Sequence, residues 1–224
     1  IDLRLEYYFG FNQFFTAGIF SKEILNPIEE TVNESGDLII TSYQNVPLAE
    51  INGFEIEYEQ VFEAIMDSPN DLLVKFNYTE TESEVIVNPG DTYINSIGTV
   101  VDAQNLLANG RDTRLQGQSD TIANFQIGLD NLQNQTQATL IVNYVSDRVR
   151  ARGIDVLPDI IEEPPLLVDF AFSKIYSYPE FELKLSLELR NLLDEEYYAS
   201  MRNIAIYDQY DLGTSASLGF KISF

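Results

Sequence analysis

Segment 181–190 alternates without a break between apolar and polar residues. Leucine or phenylalanine occupies each odd position, and a charged residue or serine occupies each even position. A period of two residues places the two classes on opposite faces of a β-strand. A helix of the same sequence would spread its charges around the whole cylinder. The segment is therefore predicted to be a strand with one face in an apolar environment and the other in water.

The same alternation recurs along the chain, at 3–9, 15–25, 38–62, 72–79, 123–129, 138–144, 166–172 and 217–224. Together these segments predict an all-β fold with about nine antiparallel strands. Segment 38–62 is longer than the usual strand of about 3–10 residues. Because Pro47 and Gly53 lie within it, we expect a bulge or an unpaired extension there. Glu55, Glu57 and Glu59 share one face, which we interpret as a hydrated wall rather than a binding site.

The connections between these segments alternate in length. Short ones at 10–13, 63–70, 130–136 and 176–180 take turns with longer ones at 26–36, 88–114, 153–163 and 191–212. Short turns on one rim and long loops on the other are typical of an outer-membrane β-barrel, whereas a soluble sandwich has no reason to sort its loops in this way. The longest connection holds a candidate short helix at 101–108. Aromatic residues crowd the short-turn rim, as an interfacial girdle would: Phe9, Phe11, Phe14, Phe15, Phe62, Tyr176, Tyr178, Phe181 and Phe224.

Composition excludes several classes of function. The chain has no Cys and no His, so disulfides, Cys or His metal sites and imidazole-dependent nucleophiles are ruled out. A net charge of -23 repels nucleic acid. The adjacent acids Glu162-Glu163 and Glu195-Glu196 are expected to be solvated charges on loops. We therefore predict no catalytic, cofactor-binding or metal-binding residues, and the chain is not expected to be an enzyme. No signal peptide or membrane-spanning helix is predicted from hydropathy.

Four local motifs resemble those of one membrane-protein family. Residues 45–58, NVPLAEINGFEIEY, are similar to the "N-x-x-x-A-x-x-x-G-hydrophobic-E" strand of TonB-dependent outer-membrane receptors. Residues 76–83, FNYTETES, resemble the strand that follows it, and residues 187–198, LELRNLLDEEYY, resemble the segment before the last strand. The ending from Ser217 through Gly219 and Ile222 to Phe224 resembles the assembly signal of outer-membrane barrels. The motifs occur in the order that the family has.

The resemblance implies a transmembrane β-barrel of 22 strands with a plugged lumen. Residues 1–224 would then be the C-terminal portion of that barrel, without the plug, the energy-coupling segment and the N-terminal barrel strands. An odd number of strands does not suit a complete bacterial barrel. The expected partners are therefore the missing strands and plug of the same receptor, or a second chain that completes the barrel. The TonB energy-coupling protein would act through the missing N-terminal part.

The implied function is energised uptake, across the outer membrane of a Gram-negative bacterium, of a scarce ligand such as a siderophore, cobalamin or an oligosaccharide. Outer-membrane lipid and lipopolysaccharide would surround the barrel, and no cofactor is expected. Two alternatives remain open at this point. One is a porin-like or structural barrel subunit of a larger assembly, and the other is a soluble β-sandwich adhesin with Leu183 to Leu189 in its core.

Overall fold

The computed structural model describes residues 1–35, 38–63, 69–94, 99–107, 111–154, 157–202 and 204–224. These residues form an all-β fold, as predicted, with strands in the following order: β1 (Asp2–Gly10), β2 (Gln13–Leu25), β3 (Ile28–Ser35), β4 (Leu38–Asn45), β5 (Leu48–Phe62), β6 (Asp71–Ile86), β7 (Thr92–Ile94), β8 (Val100–Asp102), β9 (Thr121–Asn131), β10 (Thr136–Val145), β11 (Arg148–Gly153), β12 (Ile160–Glu163), β13 (Leu167–Ser177), β14 (Glu182–Arg190), β15 (Glu196–Met201), β16 (Ala205–Asp211) and β17 (Ser215–Ser223). Within the described ranges, no helix is long and apolar enough to cross a membrane.

The largest element is a nine-stranded sheet in the order β1-β2-β5-β6-β9-β10-β13-β14-β17. All of its neighbouring strands pair antiparallel. Each predicted segment supplies one of these strands, so the sequence pattern identified the whole sheet. Strands β1 and β17 form its two edges, and among the described residues the sheet does not close on itself. The antiparallel all-β prediction is thus confirmed, while a closed barrel is not seen in this part of the chain.

The predicted single strand at 38–62 is wrong, because the chain divides there into β4 and β5. The break falls at Val46 and Pro47, where the proline has no N–H to continue a ladder. Strand β5 then runs through Gly53 without the expected bulge, in register with Phe20 on one side and Thr81 on the other. Glycine is required there because a Cβ would lie 2.4 Å from the carbonyl oxygen of Glu80 and 2.5 Å from Cζ of Phe20.

The long connections are not simple loops. Six of their strands form a second sheet in the order β16-β15-β12-β11-β3-β4. It contains one parallel pairing, in which Arg152 of β11 lies opposite Thr31 of β3. The expectation that the connections 26–36, 153–163 and 191–212 are loops is therefore wrong, because each contains strands of this sheet. These strands are short and carry few alternating pairs, so their periodicity is weak in the sequence.

The second connection, between β6 and β9, has a different structure. Strands β7 and β8 pair into a small two-stranded sheet, and a 3-10 helix at Ala103–Leu106 follows. The candidate helix at 101–108 is confirmed only in its central part, as a 3-10 turn at Ala103–Leu106, because Val101 and Asp102 belong to β8, and Ala108 lies outside the described residues. Several other predicted connection positions, Gly36, Ser68, Gly98 and Gly110 among them, also lie outside the described ranges.

The buried core lies at the end of the large sheet where the long connections emerge. One cluster joins Val46, Ala49 and Val85 of the large sheet's margin to Tyr93, Ala103 and Leu106 of the second connection. A second cluster lies in the six-stranded sheet and consists of Val32, Ala151, Ile160 and Ala199. The core therefore fixes the connections to the sheet, and it leaves the faces of the sheet below the connections without a cover among the described residues.

Candidate functional site

One face of the nine-stranded sheet is predominantly apolar from edge to edge, with Gln60 and Lys174 as polar exceptions near the short-turn end. A single cross-strand row shows this continuity, because each member lies directly opposite the next on the neighbouring strand: Tyr7, Phe15, Tyr58, Phe76, Phe125, Val142 and Val168. The same face carries Leu183, Leu185, Leu187 and Leu189 on β14, opposite Ile222, Phe220, Leu218 and Ala216 on β17. Exposure is highest on the edge strands, where Leu5 is 66% and Phe220 70% exposed.

The opposite face is polar, and several of its charges form ion pairs. Arg4 lies 2.9 Å from Glu6 and 3.5 Å from both Glu55 and Glu57. Lys75 Nζ lies 3.0 Å from Glu59. The three carboxylates that the sequence places on one face of β5 are therefore matched by two cations, Lys75 on the neighbouring β6 and Arg4 on β1, two strands away. This pairing agrees with the hydrated-wall interpretation better than with a vacant acidic site.

Asparagines continue the polar face across the middle of the sheet. Asn77, Asn124 and Asn143 lie opposite one another on β6, β9 and β10. Asn124 Nδ2 donates to Asn77 Oδ1 at 3.2 Å. Uncharged side chains that can both donate and accept satisfy one another without bringing like charges together.

The polarity of the two faces reverses near the long connections. On β5 the apolar face carries Phe54 and Ile56, but the next residues on that face are Asn52 and Glu50. The other face changes in the opposite sense, to the buried Ile51 and Ala49. The apolar band on β5 thus extends from Phe54 to Phe62, about 26 Å along the strand at ~3.3 Å per residue. The sequence analysis missed this inversion, although Asn52-Gly53-Phe54 marks it.

A buried ion pair holds the connections together at this end. Arg152 and Glu29 are both fully buried. The guanidinium donates from Nε to Glu29 Oε2 at 2.5 Å and from Nη2 to Glu29 Oε1 at 2.9 Å. It also donates to the carbonyl oxygens of Asp112 at 2.7 Å and Arg114 at 3.0 Å. One side chain of β11 thereby joins β3 to the segment that leads into β9.

Arg114 forms a second ionic centre beside this pair. Its guanidinium bonds Asp112 at 2.8 Å, Asp147 at 2.9 Å and Asp120 at 3.2 Å. Burial disfavours the charged form of Asp112, but hydrogen bonds from Arg114 outweigh it and hold the pKa of that carboxyl below its usual range. For Asp120 burial prevails and raises the pKa. With three carboxylates around one cation, the centre is a structural junction, and the sequence analysis assigned it no role.

One acid of each pair singled out in the sequence has a side-chain partner. Glu162 accepts from Arg148 Nε at 2.7 Å, and Glu196 accepts from Gln209 Nε2 at 2.7 Å. Glu162 and Glu163 lie in β12 and Glu196 lies in β15, which corrects their expected placement in loops, while Glu195 lies in the connection before β15, as expected. Within the described ranges, no group of three or more acidic side chains is arranged to hold a metal ion.

The motif residues of 45–58 lie at structurally demanding positions. Asn45 Nδ2 donates to the carbonyl oxygen of Asn26 at 2.7 Å, across the base of the β3–β4 hairpin. Ala49 is fully buried in the core. Gly53 makes room for the ring of Phe20.

The motif at 187–198 forms a tight turn after β14. Asn191 adopts a φ of 52° and is almost fully buried. Its side chain donates to the carbonyl oxygens of Glu195 at 3.0 Å and Gly213 at 3.3 Å, and it accepts from the amide of Glu195 at 3.0 Å. An asparagine can adopt this backbone conformation and close the turn through its own side chain.

An open cleft lies between β4 and the small β7–β8 sheet. Its volume is about 750 Å³, and its lining includes Tyr43, Gln44, Asn45, Asp91 and Tyr93. Sequence reasoning did not find it, because the residues come from two connections that the pattern does not relate. In size it falls within the usual range for small-molecule sites, about 300–1,000 Å³.

Comparison with known proteins gives no assignment. No known protein-family model matches the chain, and no curated protein matches it.

Proposed function

We propose that this chain is the C-terminal part of the barrel of a TonB-dependent receptor in the outer membrane of a Gram-negative bacterium. The observation that carries the proposal is the apolar face of the nine-stranded sheet, which is continuous across strands and bounded by polar residues at its upper margin. A membrane-spanning barrel needs such a band on its lipid side, about 25 Å tall. At a strand tilt of about 40°, the stretch from Phe54 to Phe62 on β5 spans about 20 Å of depth.

The arrangement of the connections supports the same proposal. Four short turns lie at one end of the large sheet, and the four connections at the other end carry all of the remaining strands. In outer-membrane barrels the short turns face the periplasm and the long connections lie outside the cell. In this orientation β17 runs towards the periplasm. The six-stranded sheet then forms part of the external mouth, where a scarce ligand would first be bound.

The directions of the two edge strands determine what can complete the barrel. Because the sheet is a meander with an odd number of strands, β1 and β17 run in the same direction. Their direct union would be a parallel pair, and a second copy in the same membrane orientation would meet β17 in the same parallel way. Antiparallel closure therefore needs an odd number of additional strands from a different segment. The missing strands of a 22-stranded barrel meet this condition.

A porin-like or structural barrel is the second candidate, since it would use the same sheet without a plug. A soluble sandwich is less consistent with the structure, because its apolar face would need a second sheet, and the six-stranded sheet packs at the end of the large one. The described residues thus contain nothing that covers the row from Tyr7 to Val168.

Extraction of the native protein from outer membranes tests the proposal. We expect the protein to require detergent and to have an intact mass well above 25.5 kDa, the mass of these residues. Its upstream sequence should contain a plug and an energy-coupling segment. A plug-free upstream sequence would favour the porin-like candidate. A mass of 25.5 kDa would indicate a partner chain. Recovery in the soluble fraction without detergent would refute both membrane functions.

A further inference from the structure

Strand β4 has one edge without a partner strand. It is the last strand of the six-stranded sheet, where it pairs with β3 from Leu38 to Asn45. Among the described residues, no strand pairs with its other side. One row of backbone donors and acceptors on β4 is therefore left without the partners that a sheet provides.

The hydrogen bonds to β3 show which backbone groups form this row. The amide of Val46 donates to the carbonyl oxygen of Pro27 on the β3 side at 2.9 Å. Backbone groups alternate in direction along an antiparallel strand, so the even-numbered residues of β4 direct theirs towards β3. The N–H and C=O groups of Ile39, Thr41 and Tyr43 point away from β3, to the free edge.

The free edge of β4 lacks the features that usually prevent strand addition. Native edge strands are commonly protected by charged side chains, prolines or bulges. The sequence of β4, LIITSYQN, has no charged residue and no proline, and its pairing with β3 runs without a register shift. At the opposite edge of the same sheet, β16 carries Asp208 and Asp211, and its pairing with β15 is irregular. Of these two edges, β4 is therefore the one open to another strand.

Apolar side chains are exposed along the same edge. Leu38 is 69%, Ile39 is 50% and Ile40 is 45% exposed. Because side chains alternate along a strand, Leu38 and Ile40 lie on one face of β4 and Ile39 lies on the other. A second extended backbone would pair with the row of backbone groups while its side chains cover both faces. This combination fits an extended polypeptide, which binds by adding a strand to a sheet edge.

The charges around β4 favour a basic partner. Strands β3 and β4 contain Glu29, Glu30 and Glu34 and no Lys or Arg. Glu29 is neutralised by Arg152, whereas Glu34 is exposed and lies opposite Ile39. A second copy of the chain would bring the same carboxylates and a net charge of -23 to the contact. Because like charges across an interface repel, a segment with Lys or Arg is favoured over a second copy.

We propose that the free edge of β4 binds an extended, basic segment of a partner protein as an added strand. The backbone of that segment pairs with Ile39, Thr41 and Tyr43. Its apolar side chains cover those of β4, and its Lys or Arg side chains lie near Glu34. The inference goes beyond the proposed function and does not depend on it, because binding at β4 requires only the folded connections.

Fluorescence anisotropy on the complete protein in detergent tests the inference. The probe is a fluorescein-labelled peptide with the sequence KTVTVTVK, and its counterpart ETVTVTVE has the same strand-forming centre with acidic ends. We expect saturable binding of the basic peptide and binding of the acidic peptide that is weaker by about tenfold or more. Glu34→Gln should weaken the basic peptide by a smaller factor, since it removes one carboxylate near the edge.

Two substitutions of Thr41 separate backbone pairing from side-chain contact. Thr41→Pro removes an N–H that points to the free edge and leaves the hydrogen bonds to β3 in place, as edge strands allow. It should weaken the basic peptide about tenfold or more. The matched control Thr41→Val keeps the N–H, so it should change the affinity by less than about twofold. Hydrogen exchange locates the bound peptide: the amides of Ile39, Thr41 and Tyr43 should exchange more slowly in its presence, and those of β16 should not.

Four results would overturn the inference: no saturable binding of the basic peptide, equal binding of the acidic one, equal effects of Thr41→Pro and Thr41→Val, or slowed exchange at strands other than β4. Protection of the β4 amides before peptide is added would also refute it, because another segment of the complete chain or a second copy would then occupy the edge. Thermal unfolding temperatures show whether each variant has kept its fold. If Thr41→Pro does not fold, the exchange measurement on the unsubstituted protein decides.

Discussion

Arginine substitutions on the two faces of β14 distinguish a lipid-facing sheet from a soluble one. Leu187 lies on the apolar face between Phe172 of β13 and Leu218 of β17, while Ser186 lies on the polar face between Ser173 and Gly219. From the short-turn end of the strand, Leu187 is about 17 Å along β14 at ~3.4 Å per residue, or about 13 Å in depth at a tilt of about 40°. That position is near the middle of a band about 25 Å tall.

The expected cost follows from this depth. Leu187→Arg should lower the free energy of unfolding by about 2–4 kcal/mol, which is roughly 30- to 900-fold in the equilibrium constant. Leu183→Arg lies on the same face near the short-turn rim, where an arginine reaches the interface, and should cost about 0–1 kcal/mol. Ser186 lies on the polar face, opposite Gly219 and near Glu188, so Ser186→Arg should lower the free energy of unfolding by a similarly small amount.

The assay is urea unfolding of the complete protein in phospholipid vesicles, followed by the gel-mobility shift between folded and unfolded forms. The three variants share one strand and one introduced side chain, and Leu183→Arg and Leu187→Arg also replace the same residue type, so these two differ in depth alone. Equal losses at Leu183 and Leu187 would point to a protein core, in which cost does not depend on depth. A larger loss at Ser186 than at Leu187 would refute the assignment of the faces.

Three further predictions concern the end of the large sheet where the long connections emerge. Gly53→Ala should destabilise the protein by about 1–3 kcal/mol because its Cβ would overlap Glu80 and Phe20, whereas Gly128→Ala, where the nearest atom is 3.4 Å away, should change thermal stability little. Arg152→Leu leaves the carboxylate of Glu29 buried and unpaired, so it should destabilise the connections by about 3–5 kcal/mol, as measured by their susceptibility to proteolysis. The double variant Arg152→Leu/Glu29→Leu should recover part of the lost stability. The pKa of Asp112 is lowered in the folded state, so the ionised Asp112 stabilises the fold above the pKa of the unfolded chain, and this stabilisation is lost as pH falls through the pKa of the folded state. Asp112→Asn should therefore weaken the dependence of the free energy of unfolding on pH below about pH 4. An unchanged pH dependence would contradict the role of Arg114.

The large sheet was predictable because each of its strands has one apolar face and one polar face. Alternation of apolar and polar residues is a local signal, and it located every strand of that sheet without reference to tertiary contacts. Segment 38–62 failed because alternation continues on both sides of Pro47, while the two halves enter different sheets. The decisive feature was the missing N–H of the proline, which the pattern alone does not weigh.

The second sheet and the cleft were not predictable from local pattern. Strands such as β12 and β15 are short, and their burial depends on partners from other connections. Glu29 and Arg152 illustrate the difficulty, since they are 123 residues apart and each reads as ordinary surface charge in the sequence. The cleft was unpredictable for the same reason, because Gln44 and Asp91 belong to different connections. Only the three-dimensional structure brings such residues together.

The six-stranded sheet, to which three connections contribute strands, also limits how the sequences of the connections can change. Strands from three connections pair with one another, and the fourth connection supplies the carbonyl oxygens that Arg152 requires. Replacing one connection by that of another protein would leave unpaired strand edges and a buried charge in its neighbours. The surface that the four connections form is therefore expected to be inherited as a block, and to vary by substitutions at exposed positions such as Tyr43 rather than by exchange of whole connections.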